Sequence, residues 1–110
     1  YSPMHSGLLS GSMTAERIAA MAPDDHRRRR PQFQPPLLER NLKLAALLGD
    51  IARPHGRSAG GAAIAWVLRR SEITAAIVGL RSPEQLRGVV GAAEFRLPDD
   101  ELEKIDRFVS

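Results

Sequence analysis

The run Thr74-Ala75-Ala76-Ile77-Val78-Gly79-Leu80-Arg81-Ser82-Pro83-Glu84-Gln85-Leu86 constrains this chain more than any other stretch. Ile73 to Val78 is apolar without alternation, the pattern of a parallel strand covered on both faces. Ser82 then suits an N-cap, Pro83 the first helical position, and Gln85 lies three residues beyond the cap. The spacing therefore predicts a strand, a tight turn and a helix start in direct succession. A helix start collects unpaired N–H groups and positive dipole, which favours an anion. Arg81 adds a permanent cation whose planar fork matches a phosphate.

A strand covered on both faces needs helices around it and further strands beside it, and the rest of the chain supplies mainly helices. Thr14 to Met21 is a short helix candidate capped by Ser12 or Thr14, and Pro23-Asp24-Asp25 ends it. His26 to Pro36 is basic, proline-containing and loop-like, with room for one helical turn through the arginines. Connections of that length often cover a site. From Leu37 to Arg53 the pattern is helical, with Leu37, Leu44, Ala45, Leu48, Ile51 and Ala52 on one face of the wheel. Pro54, His55 and Gly56 stop it.

Ser58 caps the next helix, Ala59 to Arg70, whose Ala62-Ala63-Ile64-Ala65-Trp66-Val67-Leu68 is apolar all round and calls for burial on more than one side. Gly60 and Gly61 weaken its first turn by about 1 kcal/mol each against alanine. After the helix from Pro83 to Ala92, Asp99, Asp100 and Glu101 place three acids in the positive first turn of a last helix. Leu102, Ile105, Phe108 and Val109 give that helix its apolar stripe. One short strand cannot form a parallel sheet. The start at Tyr1 reads as a strand end running into a Gly/Ser loop, so an N-terminal truncation of a larger α/β protein is expected.

With 110 residues, 43% of them apolar, the chain can bury one small core. No apolar run reaches the roughly 18 residues of a membrane span, and no secretory signal pattern is visible. The absence of cysteine excludes a disulfide scaffold and thiol-based catalysis or metal binding. The three histidines are scattered and form no metal pattern, so no metal site is expected. A soluble cytoplasmic protein without membrane partners follows. The net charge of +3 comes largely from Arg27-Arg28-Arg29-Arg30. Without that run the balance turns slightly negative, so no basic face is spread over the fold.

Four segments in register resemble the C-terminal third of an aldo-keto reductase. Tyr1-Ser2-Pro3 with Gly7-Leu8-Leu9-Ser10-Gly11 resembles the segment after the seventh barrel strand. The arginine run with Pro31, Phe33 and Leu38-Glu39-Arg40-Asn41 resembles the following loop and the seventh helix. Ala63 to Leu68 resembles the helix packed behind the eighth strand, and Ile77 to Leu86 resembles that strand and its phosphate-binding turn. The resemblance covers nearly all of residues 1–110. It implies an α/β fold, the C-terminal fragment of a (β/α)8 TIM barrel, mostly helical as an isolated chain.

The same resemblance implies an NADP(H)-dependent oxidoreductase acting on a small carbonyl substrate. Tyr1 would stack on the nicotinamide. Ser2, Met4 and Ser6, with backbone through Leu8, would lie along the pyrophosphate. Gly79, Arg81 and Gln85 would hold the adenosine end, with Arg81 and Ser82 on the 2′-phosphate. The family's catalytic aspartate, tyrosine, lysine and histidine belong to the first half of the barrel and are absent here, so no catalytic residue is assigned. The fragment alone is expected to be inactive.

This chain also departs from the family pattern. Met4 and His5 replace the usual leucine and glycine, Gly88 and Val89 replace an adenine-contacting pair, and Pro54 falls at a helix end that usually has none. The alternative reading is a small helical nucleic-acid or protein interaction module using Arg27 to Arg30. It lacks the interleaved aromatics and reading helix such a module would carry, so no nucleic-acid partner is expected.

Overall fold

The computed structural model describes residues 1–110. Five α-helices follow one another: α1 (Ala15–Ala19), α2 (Leu37–Ala52), α3 (Ala59–Leu68), α4 (Pro83–Val89) and α5 (Asp99–Val109). Short 3₁₀ turns lie at His26–Arg29, Pro31–Phe33, Arg53–His55 and Val90–Ala93. No helix is long and apolar enough to cross a membrane.

The helix starts follow the side chains that cap them. Thr14, Ser58 and Ser82 each accept the backbone N–H three residues on, from Arg17, Gly61 and Gln85 at 3.0, 3.0 and 3.3 Å. Of the two residues that could cap α1, Thr14 is the one used. α2 ends at Ala52, where the 3₁₀ turn through Pro54 tightens the chain. Gly56 then takes the left-handed conformation (φ 67°) that lets Arg57 N–H bond back to Ala52 O. α3 stops at Leu68, two residues short of the expected end, and α4 gives way to a 3₁₀ turn after Val89.

α2 and α3 form the centre of the fold. Six of the eleven residues in the main core are alanines, Ala45, Ala52, Ala59, Ala62, Ala63 and Ala65. Small side chains on both helices let the two backbones come close, and Leu48, Ile51, Phe95 and Ile105 fill the remaining space. A second cluster of Leu8, Met13, Ile18, Phe33 and Leu38 sits under the N-terminal loop. The buried face of α2 begins at Leu38; Leu37, expected there, is 43% exposed. The first turn packs on Phe33 of the preceding loop, which shifts the stripe by one residue.

Gly60 and Gly61 are both buried. A Cβ on Gly60 would stand 2.7 Å from Met4 Sδ and 3.6 Å from Val89 Cγ1. The helix accepts an entropic cost of about 1 kcal/mol there because the N-terminal loop and α4 both press on that point.

α5 is fixed to α2 at both ends. Arg40 Nη2, early in α2, donates to the carbonyls of Phe108 and Val109 at 3.1 and 3.3 Å. That puts a cation on the negative end of α5. His55, just past α2, pairs with Glu101 in the first turn of α5 at 2.9 Å. Trp66 is half-buried and packs against the main core. Its indole N–H donates to Asp106 Oδ1 at 2.9 Å, and Arg69 stacks 3.8 Å over the ring.

The largest correction concerns the expected strand. Ile73 to Leu80 has no secondary structure; Ile73 N–H bonds back to Arg70 O, and the rest of the segment makes no backbone hydrogen bond. Ile73 and Leu80 are 40% exposed and Ile77 is 72% exposed. A parallel strand exists only by sharing its ladder with neighbours, and the chain contains no other strand. The apolar run that marked a doubly covered strand therefore has no ladder and lies mostly exposed, with Ala76 and Val78 half-buried.

Candidate coenzyme site

Two turns carry the residues expected to bind a coenzyme. The first is the loop from Tyr1 to Leu9. Ser2, His5 and Ser6 are left-handed at φ 54°, 48° and 57°, followed by Gly7 at 90°. Left-handed non-glycine residues cost about 1–3 kcal/mol each and gather at binding sites. The loop closes on itself: His5, Gly7, Leu8 and Leu9 donate their N–H groups to Ser2, Met4, His5 and Met4 carbonyls. The N–H groups of Ser2, Met4 and Ser6 are left without a partner in the chain. They alternate along the loop, an arrangement that suits anion oxygens.

The side chains of this loop divide into two sets. Tyr1 is completely exposed, and Ser2 is exposed. Met4 packs against the main core beside Gly60, and Leu8 is fully buried in the second cluster. Met4 and Leu8 thus anchor the loop through their side chains, and only the Met4 backbone N–H remains for a ligand; that of Leu8 is spent on His5. Tyr1, Ser2, His5 and Ser6 line a cavity of about 730 Å³. Its other walls include Leu44, Leu48, Ala63, Trp66 and Ile105 from α2, α3 and α5.

The second turn is Gly79 to Gln85. Ser82 caps α4, and Gln85 Oε1 accepts the Arg81 backbone N–H at 2.7 Å. Both side chains therefore shape the turn, as in a capping box displaced by one residue. The Arg81 side chain is exposed, and its guanidinium makes no hydrogen bond or ion pair. A Cβ on Gly79 would meet nothing within 4 Å, so the space over the turn is open. α4 has only seven residues. The positive charge at this turn is carried by Arg81 rather than by a long helix dipole.

The chemistry of these donors fits a dinucleotide: unpaired N–H groups and hydroxyls on one turn, a free guanidinium on the other. Gly79, Arg81, Ser82 and Gln85 are not among the residues lining the 730 Å³ cavity. The bare segment Ile73 to Leu80 leads into the second turn without a sheet to fix it beside the first.

The arginine run is mostly engaged inside the chain. Arg27 forks onto Asp25 at 2.6–3.2 Å and also donates its backbone N–H to that carboxylate. The side-chain bond, then the backbone bond, hold the Asp25 carboxyl far below the usual carboxylate range, and the Arg27 guanidinium is pushed up in return. Arg28 donates to Met21 O at 3.1 Å, and Arg30 donates to Ser6 Oγ at 3.1 Å. The Arg30–Ser6 contact spans 24 residues of sequence, and no local pattern in the sequence announces it.

Residues 1–110 match the model of the Aldo/keto reductase family over their whole length. A glycerol dehydrogenase from Gluconobacter oxydans has a similar solved structure, with a TM-score of 0.82 and 31% identity, covering 99% of this chain and 32% of that one. Among sequence relatives, aldo-keto reductase str7 of Strobilurus tenacellus is 30% identical over 93% of this chain and 30% of its own length. The NADH-specific methylglyoxal reductase of Escherichia coli K12 is 29% identical over 90% of this chain and 29% of its own length.

The chain belongs to the aldo/keto reductase family. It spans about a third of the length of these relatives. The similar solved protein is a (β/α)8 barrel, and the bare segment and helical layer described above are consistent with part of one.

Proposed function

We propose that residues 1–110 form the C-terminal part of the barrel domain of a cytoplasmic, NADP(H)-dependent aldo-keto reductase that reduces small aldehydes or ketones to alcohols. The observation that carries this reading is the Arg81 guanidinium, exposed and unpaired on a turn that Ser82 and Gln85 brace. A fork with no internal partner, fixed at its base, is suited to a 2′-phosphate. Ser82 adds a hydroxyl beside it.

In this reading Tyr1 offers an exposed ring for stacking on the nicotinamide. Ser2, Met4 and Ser6 offer their unpaired N–H groups to the diphosphate. Gly79 and Gln85 flank the adenosine end, with the Gln85 side-chain amide nitrogen free to donate. Hydride donation to a carbonyl carbon is the chemistry the nicotinamide coenzyme supplies when bound. This chain's residues bind and orient, and none of them is assigned to move a proton. The alternative of a nucleic-acid or protein interaction module has less support, because Arg27 and Arg28 are bonded within the chain and Arg30 turns to the N-terminal loop.

The test is coenzyme preference in the full-length reductase. Arg81→Glu is expected to cut kcat/KM for NADPH by tenfold or more, on the order of a lost charged hydrogen bond, and to leave NADH little changed. An unchanged NADPH to NADH ratio rejects the assignment. A relative that is NADH-specific makes this ratio the decisive quantity.

A further inference from the structure

We infer that Arg30 is a further coenzyme-binding residue, a cation for the diphosphate bridge of the dinucleotide. The inference rests on the reading of Tyr1 to Leu8 given above. Arg30 stands apart within the arginine run. Arg27 is held by Asp25 and Arg28 by the Met21 carbonyl. Arg30 instead crosses to the N-terminal loop, where Nη1 donates to Ser6 Oγ at 3.1 Å.

Arg30 lines the same cavity as Tyr1, Ser2 and Ser6. No Asp or Glu lines that cavity, and Arg30 forms no ion pair. The other cation there, Arg40, is occupied by the α5 carbonyls. One of the five guanidinium N–H groups of Arg30 is spent on Ser6, and the rest are unassigned. An uncompensated guanidinium bonded to Ser6, in one cavity with Ser2 and on a loop whose Ser2 and Ser6 N–H groups are unpaired, is a donor set for two linked phosphates. The Ser6 hydroxyl holds the guanidinium in place and keeps its own lone pairs off the anion.

The inference separates two charges on one coenzyme. Arg30 answers to the diphosphate, common to NADH and NADPH, whereas Arg81 answers to the 2′-phosphate. Binding is read by titration calorimetry on the full-length reductase with two fragments. ADP-ribose carries the diphosphate without nicotinamide, and adenosine 2′-phosphate carries the other phosphate without the bridge.

Arg30→Ala is expected to raise the Kd of ADP-ribose about tenfold, to flatten its salt dependence, and to leave adenosine 2′-phosphate unchanged. Arg30→Lys is expected to recover most of the loss. Unchanged ADP-ribose binding in Arg30→Ala overturns the inference. Equal weakening of both fragments, or no recovery in Arg30→Lys, makes Arg30 a structural residue and also overturns it. Wild-type protein that binds neither fragment overturns the underlying coenzyme reading, and this inference with it. Loss of adenosine 2′-phosphate in Arg81→Ala, beside normal ADP-ribose binding in Arg30→Ala, removes this inference alone.

Discussion

Gln85 Oε1 accepts the backbone N–H of Arg81 at 2.7 Å, so a residue inside α4 fixes the peptide that presents the arginine just before it. The Ser82 hydroxyl does the reciprocal work by accepting Gln85 N–H. The two contacts hold the Arg81 peptide rigid while leaving its guanidinium free.

Gln85→Ala should weaken NADPH binding without touching the arginine itself. One exposed hydrogen bond is worth about 1 kcal/mol, which corresponds to a Kd roughly fivefold higher. Titration of the full-length reductase with NADPH checks this. An effect as large as that of Arg81→Glu would show that Gln85 carries more of the binding than bracing the turn accounts for.

Gly60→Ala should destabilise the protein although alanine is the better helix former. Propensity alone predicts a gain of about 1 kcal/mol. The new methyl would stand 2.7 Å from Met4 Sδ, and overpacking of this kind costs about 1–3 kcal/mol. Met4 is flexible, so Met4→Ala combined with Gly60→Ala should recover part of the loss. Urea denaturation of the four variants of the cycle measures it.

The Asp25–Arg27 pair should make stability acid-sensitive. The Asp25 carboxyl is held low in the fold by Arg27. Its contribution is therefore fully present above the ordinary aspartate value of about 4 and is lost progressively as pH falls below it. Arg27 is pushed up and contributes below its own ordinary range, losing it only in strong alkali. Asp25→Asn should lower the denaturation midpoint at pH 7, and the gap to wild type should narrow as pH falls through 4 towards 3. A gap that stays constant over that interval would contradict the assignment.

Residues 1–110 expressed as a separate polypeptide should bind a hydrophobic dye and melt without a sharp transition. Ile73, Ile77 and Leu80 lie exposed on a segment outside any helix or strand, and grouped apolar surface of this kind recruits other chains. Ile77→Lys should reduce dye binding and self-association. A sharp cooperative melt of a monomer would show that the helical layer needs no sheet.

The helices were legible because their signals are local. Thr14, Ser58 and Ser82 cap them, Gly56 ends α2, and the acids at Asp99 to Glu101 open α5. The strand was misread because its signal is conditional: Ile73 to Val78 has the composition of a covered strand, but coverage depends on chain elements that these residues do not include. Gly60 looked like a weakness in α3 because the sulfur that needs its space belongs to Met4, far away in sequence. For the same reason the packing of the Met4 and Leu8 side chains, which anchor the loop and leave only backbone to face a ligand, has no local sequence signal. The Ser82 cap and the Pro83 start of α4 were readable because they are local, whereas the bond from Arg81 N–H to Gln85 Oε1 falls one residue away from the usual capping-box position. The Arg30–Ser6 contact was not readable, since nothing in either segment specifies the other.

The grip of α2 on α5 at Arg40 and at His55 also decides how far the last helix can run. The carbonyls of Phe108 and Val109 are already taken by Arg40, and Ser110 folds its hydroxyl back onto Asp106 O at 2.6 Å. A helix prolonged past Val109 would need those same oxygens for its own N–H groups, so Arg40 acts as the stop of α5.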